Sequence, residues 1–118
     1  MRQQKENAMD IFSLLGMRNG SAGIILESIK SGSFLCPICR KNNLHFYFWK
    51  RDMGGEIAEI KCVGDFPPCL IKSDSPIFNI LSNIVFECKQ RIYYDTHREY
   101  EIEMIKLLLR LASEIKEN

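Results

Sequence analysis

Residues 36–69 read CPICRKNNLHFYFWKRDMGGEIAEIKCVGDFPPC, and this stretch decides the fold. Cys36-Pro37-Ile38-Cys39 places two cysteines two residues apart, with a proline between them, so one tight turn can aim both thiolates at a single metal ion. Leu44-His45-Phe46-Tyr47-Phe48-Trp49 is an aromatic-dense strand, and Glu56-Ile57-Ala58-Glu59-Ile60-Lys61 is a second extended run. Asp52-Met53-Gly54-Gly55 lies between them, where glycine supplies the backbone freedom of a turn. The pattern predicts a β-hairpin. That hairpin carries Cys62 and Cys69 back to the first pair. Cys36, Cys39, Cys62 and Cys69 then form a tetrahedral four-sulfur site that suits Zn2+. Six residues separate Cys62 from Cys69, a longer ligand loop than usual, which Gly64 and Pro67-Pro68 can fold back. His45 and Cys88 are the alternatives to Cys69. His45 projects sideways from a strand, and Cys88 fits the apolar stripe of a helix and reads as core.

Outward from the hairpin, both flanks turn helical. In residues 1–33, Met9, Ile11, Phe12, Leu14 and Leu15 make an apolar patch that stops at Gly16. Ser21 is the expected cap of a second short helix carrying Ile24, Ile25 and Ile29, with Gly32 just past its end. In residues 73–118, Ser75-Pro76 reads as an N-cap followed by proline at the first helical position. Ile77, Ile80, Leu81, Ile84, Val85 and Cys88 then recur at intervals of three and four. Thr96-His97-Arg98-Glu99 has capping-box spacing. The last helix carries Tyr100, Met104, Ile105, Leu107, Leu108, Leu111, Ala112 and Ile115, a stripe broad enough to bury on more than one side. The expected fold class is α+β: a zinc-binding β-hairpin over residues 34–72, flanked by a helical segment 1–33 and a helical segment 73–118 that packs with the N-terminal helices as one domain. Residues 97–116 also offer a seam for a homodimer.

Composition narrows the function. The 118 residues carry 16 Lys+Arg against 15 Asp+Glu, a net charge of +1, with 46% hydrophobic residues and five cysteines. This is an ordinary globular composition and not that of a uniformly basic nucleic-acid binder. An odd number of cysteines behind a polar amino terminus argues against a disulfide framework and for a reducing, cytoplasmic setting. No apolar run approaches the length of a membrane span. A closed four-ligand site leaves no open position for catalytic water. The His-x-Glu and Pro-Cys-x-x-Cys elements of a zinc deaminase are absent, as are a glycine-rich phosphate loop and a strand-then-helix context for a redox Cys-x-x-Cys. His45 and His97 have no acid/base partners in the pattern. The chain is expected not to be an enzyme.

The order Cys36-Pro37-Ile38-Cys39, aromatic hairpin, Cys62…Phe66-Pro67-Pro68-Cys69 resembles the four-cysteine zinc ribbons at the carboxyl end of bacterial type IA DNA topoisomerases. A weaker similarity links it to the zinc modules of bacterial and phage primases. The resemblance covers residues 34–72 only. It implies a zinc-ribbon fold and single-stranded DNA contact through the sheet. The chain departs from that pattern where Arg40 replaces the glycine usual after the first pair, in a longer hairpin, and in an extra residue in the second ligand loop.

Strand alternation sorts Leu44, Phe46 and Phe48 to one side, and His45, Tyr47, Trp49 and Arg51 to the other. The second set, with Arg40, Lys50 and Lys61 nearby, is the expected nucleic-acid face if that side meets water, since single strands bind stacked aromatics and cations. The ribbon carries a small basic excess, most of which cancels once four thiolates and one Zn2+ are counted, so phosphate binding should be modest and salt-sensitive. Two functions follow as expectations. One is a small zinc-ribbon protein that binds nucleic acid, single-stranded DNA foremost, in a transcription or replication accessory role. The other is a zinc-stabilised regulator that docks on a protein machine such as RNA polymerase or a defence complex.

Overall fold

The computed structural model describes residues 8–16, 21–94 and 99–117. A 3-10 turn, Ile11–Gly16, precedes helix α1, Ser21–Ser31. A three-stranded antiparallel sheet follows: β1, Phe34–Leu35; β2, Asn43–Lys50; and β3, Gly54–Val63, in the order β1-β2-β3. Helix α2, Pro76–Lys89, runs into a π-helical turn, Gln90–Tyr94, and helix α3, Tyr100–Glu117, closes the described chain. The fold is α+β, as the sequence predicts.

Each element has a local cause. Ser75 has extended backbone, φ −86° and ψ 156°, and its hydroxyl accepts the Phe78 N–H at 3.2 Å, so Pro76 enters α2 where its missing N–H costs nothing. At the end of α1 the Ser33 N–H bonds the Ser28 carbonyl at 2.9 Å and the Gly32 N–H bonds Ile29 at 3.3 Å. Gly32 sits at φ 76°, so a glycine-terminated Schellman arrangement stops the helix before β1. Ser21 does not cap α1. It is the helix's first residue, and its buried hydroxyl meets the Tyr100 hydroxyl at 2.9 Å, because a serine facing the core takes the nearest polar partner. Of the predicted capping box, residues 96–98 lie outside the described residues, as does the start of the predicted 97–116 seam.

The hairpin forms where expected, with a different turn. The left-handed residues are Asp52 at φ 57° and Met53 at φ 64°, closed by the Gly54 N–H on the Arg51 carbonyl at 3.0 Å. This is the pattern of a two-residue type I′ turn, whose twist matches the strands. Gly54 already belongs to β3, while Gly55, at φ 73°, lies where the register shifts between Phe48 and Lys50. From Asn43↔Val63 to Tyr47↔Glu59 the ladder is regular. The sheet also has a strand that periodicity did not reveal: Phe34 and Leu35 pair with Leu44 and Asn43.

One apolar cluster unites the layers. Leu44 and Ile60 from the sheet, Ile25 from α1, Ile80 and Ile84 from α2, and Leu107, Leu108 and Leu111 from α3 are buried together, along with Cys36 and Cys62. Phe34 and Phe46 meet edge to face with centroids 5.1 Å apart. The α3 stripe is narrower than its sequence implies. Tyr100, Met104, Leu107, Leu108 and Leu111 are buried, whereas Ile105 and Ala112 face solvent with Ile102 and Leu109. A helix packed on one side needs only the residues about one third of its circumference. Among the described residues, no helix is long and apolar enough to cross a membrane.

Candidate metal centre and exposed aromatic face

The Cys36–Cys39 turn is a backbone knuckle. Arg40 N–H closes it on the Cys36 carbonyl at 2.9 Å, with Arg40 itself left-handed at φ 58°. Glycine takes that conformation without steric cost, whereas arginine takes it at one. Arg40 is held in place by an ion pair with Asp10 and by its guanidinium lying 5.6 Å from the Phe12 ring centroid. The Cys36 N–H bonds the Asn42 carbonyl at 2.9 Å, which ties the knuckle to the start of β2. Cys62 arrives from β3, directly opposite Leu44.

Cys69 is brought in by a residue that the spacing of cysteines does not announce. Asn42 is fully enclosed, and its side chain spans the second ligand loop. Its Nδ2 donates to the Phe66 carbonyl at 2.9 Å and to Cys62 Sγ at 3.2 Å, and its Oδ1 accepts the Phe66 N–H at 3.1 Å. The Asn42 backbone N–H also points at Cys39 Sγ, 3.4 Å away. Gly64 is required for this arrangement. A Cβ there would come within 2.7 Å of Asn42 Cγ. The only signal in the sequence was an Asn-Asn pair just before a strand, which reads equally well as an ordinary turn.

The result is a cluster in which the Sγ atoms of Cys36, Cys39, Cys62 and Cys69 all lie within 4.8 Å of one another. All four are free thiols, and Cys39 and Cys62 are 3.8 Å apart at sulfur. A tetrahedral site with metal–sulfur bonds of about 2.3 Å has sulfur–sulfur edges of about 3.8 Å, so the donor set and its size fit one metal ion. Hydrogen bonds from Asn42 to two of the sulfurs supply the outer support that such sites use. The thiols respond unequally to the crowding. Burial pushes Cys36 well above its usual range, against donation from the Cys39 and Ile38 backbone, and the neighbouring Cys62 and Cys39 push the same way. Burial, then repulsion from Cys39 and Cys62, raises Cys69 to about 11. Cys39 is also penalised by burial, yet donation from the Asn42 and Lys41 N–H groups and from neighbouring thiols brings it down to about 7. Four thiolates repel one another at this spacing, and a divalent cation at the centre is the charge that relieves them.

His45 stands apart from the cluster, half-buried on β2. Cys88 is buried in the helical core, with its sulfur 3.7 Å from the Tyr100 hydroxyl, and burial raises its thiol to about 12.

The hairpin's outer face meets water. Tyr47 is 45% and Trp49 73% exposed, while Leu44 is buried and Phe46 and Phe48 pack against the core. Lys61, cross-strand from His45, places its ammonium 5.8 Å from the Tyr47 ring centroid and 3.8 Å from Glu59. Lys50 and Arg51 are exposed at the hairpin tip. Arg40 points to Asp10 and is committed to the knuckle. Two residues not anticipated for the surface join the ligand loop: Phe66, which Lys41 covers at 5.1 Å, and the highly exposed Leu70.

Compared with known protein families, curated proteins and solved structures, the chain matches none. These comparisons give no support to the resemblance to topoisomerase ribbons, and the cysteine cluster itself defines a candidate metal-binding module.

Proposed function

We propose that this chain is a non-enzymatic zinc-ribbon module that binds single-stranded nucleic acid through the outer face of β2. The carrying observation is the exposure of Tyr47 and Trp49 on one face of a strand anchored at its other end by the cysteine cluster. Alternate residues on a strand stand about 6.7 Å apart, twice the stacked-base rise of about 3.4 Å. A strand must therefore open its stack to lay one base on each ring, which a single strand does and a duplex does not. Lys61, Lys50 and Arg51 supply cations beside the rings, and Glu59 limits their net field, so binding should weaken sharply with salt.

The test is fluorescence anisotropy with labelled single-stranded oligonucleotides at low and physiological salt. Each stacked base contributes ~1–3 kcal/mol, so Trp49→Ala is expected to weaken binding about 5- to 150-fold, with Tyr47→Ala in the same range. Absence of binding by the wild-type chain at low salt sinks the reading. Zinc is tested separately by metal analysis of untagged protein. One zinc per chain is expected, and it should be lost in Cys36→Ser.

A further inference from the structure

The outer edge of β3 suits a second kind of partner. β3 pairs with β2 on one side, and among the described residues no strand pairs with its other side. Along that edge runs a groove of about 820 Å3 lined by six consecutive residues, Ala58 to Val63. Successive side chains on a strand point to opposite faces, so a wall made of consecutive residues is the backbone edge itself. The facing wall is the irregular segment 68–74, and Phe78 also contributes. No backbone hydrogen bond joins 68–74 to β3 among the described residues.

We infer that this groove receives an extended peptide segment of a partner protein, which adds to β3 as a fourth strand. Six residues of edge span about 20 Å, and main-chain pairing along it supplies affinity while the walls select side chains. The surface charges specify the occupant further. Glu59 and Lys61 are both exposed on the same face, on either side of the buried Ile60. An incoming antiparallel strand places its solvent-side residues opposite them, and opposite charges facing each other across strands stabilise the pair. The fitting segment is therefore apolar at alternate positions, with an acidic residue opposite Lys61 and a basic residue opposite Glu59.

The probes are two capped synthetic peptides, TIEVKVT, written for this antiparallel register, and its charge-swapped form TIKVEVT, together with a TIEVKVT peptide N-methylated at alternate amides. Binding is followed on the full chain, as purified, by amide chemical shifts. Saturable shifts at residues 58–63 and 70–73 are expected. TIEVKVT should bind at least several-fold tighter than TIKVEVT, and that preference should invert in the Glu59→Lys/Lys61→Glu variant, whose exposed side chains can be exchanged without touching the core. N-methylation should abolish binding. The inference is overturned by no binding of either peptide at millimolar concentration, by indifference to N-methylation, or by shifts confined to the Tyr47–Trp49 face or to α3. Concentration-dependent shifts along β3 in the protein alone would also overturn it, since the edge would then belong to a second copy of the chain.

Discussion

Asn42 illustrates how a single buried amide arranges a candidate metal site. Its side chain joins the loop carrying Cys69 to the knuckle carrying Cys36 and Cys39, and touches the sulfur of Cys62 on the way. Removing it breaks the two bonds that hold Phe66 and the ligand loop to the knuckle. Asn42→Ala is expected to weaken metal affinity by roughly 10–100-fold, measured by competition with a chromophoric chelator. Gly64→Ala should act in the same direction by displacing the same carboxamide, and the double variant should lose less than the sum, because both changes break one interaction. Arg40→Gly has opposing effects. It relieves a left-handed conformation that costs roughly 1–2 kcal/mol, but it loses the Asp10 pair and the Phe12 contact, a partly exposed pair worth little. The expected outcome is a melting temperature at or slightly above that of the wild type. The four cysteines were legible in the sequence because ligand spacing is a local property. Asn42 was not, because its partners lie 20 and 24 residues away, and nothing local distinguishes it from a turn asparagine.

At the scale of elements, what the sequence specifies best is what depends on neighbours along the chain. Ser75-Pro76 announces α2 by a capping bond that the structure contains, and Ser75→Ala is expected to cost about 1 kcal/mol, read as a shift of the thermal transition. The alternation of β2 likewise separates Leu44 from Tyr47 and Trp49 correctly, because the pleat has a strict period of two. Helical spacing is less decisive for α3, since it shows which residues share a face but not how many faces find a partner. Leu111 and Leu109 make the contrast measurable. Leu111→Ala, at a fully buried position, should destabilise by about 2–5 kcal/mol, whereas Leu109→Ala, at an exposed one, should stay within about 0.5 kcal/mol. β1 escaped notice for another reason. Two residues carry no periodicity, and Phe34-Leu35 is a strand only because Leu44 and Asn43 lie beside it. Within the expected 52–55 turn, Asp52 and Met53 take the left-handed angles, while the two glycines expected to supply the freedom lie in β3.

Over the whole molecule, the cysteine cluster and the helical core are not separate structures. Cys36 and Cys62 belong to the same buried cluster as the side chains of all three helices, so the sheet that they anchor is also the surface on which α1 and α2 rest. Structural zinc in small modules contributes an apparent ~10–16 kcal/mol, comparable with the entire stability of a domain. Chelation is therefore expected to lower the melting temperature and to remove amide protection along β2 and β3, as seen by hydrogen exchange. An unchanged melt after complete metal removal would contradict this.

The bond between the Ser21 and Tyr100 hydroxyls joins residues 79 apart in the chain, whereas the four ligands all fall between residues 36 and 69. Contacts of long sequence separation form late, because a large loop must close before they repay its entropy. During synthesis all four candidate ligands are thus made before α3. Until that last helix arrives, α1 and α2 expose apolar faces of the kind that chaperones hold. By this ordering the candidate ligands are assembled first, and the helical faces are the surfaces left waiting for a partner.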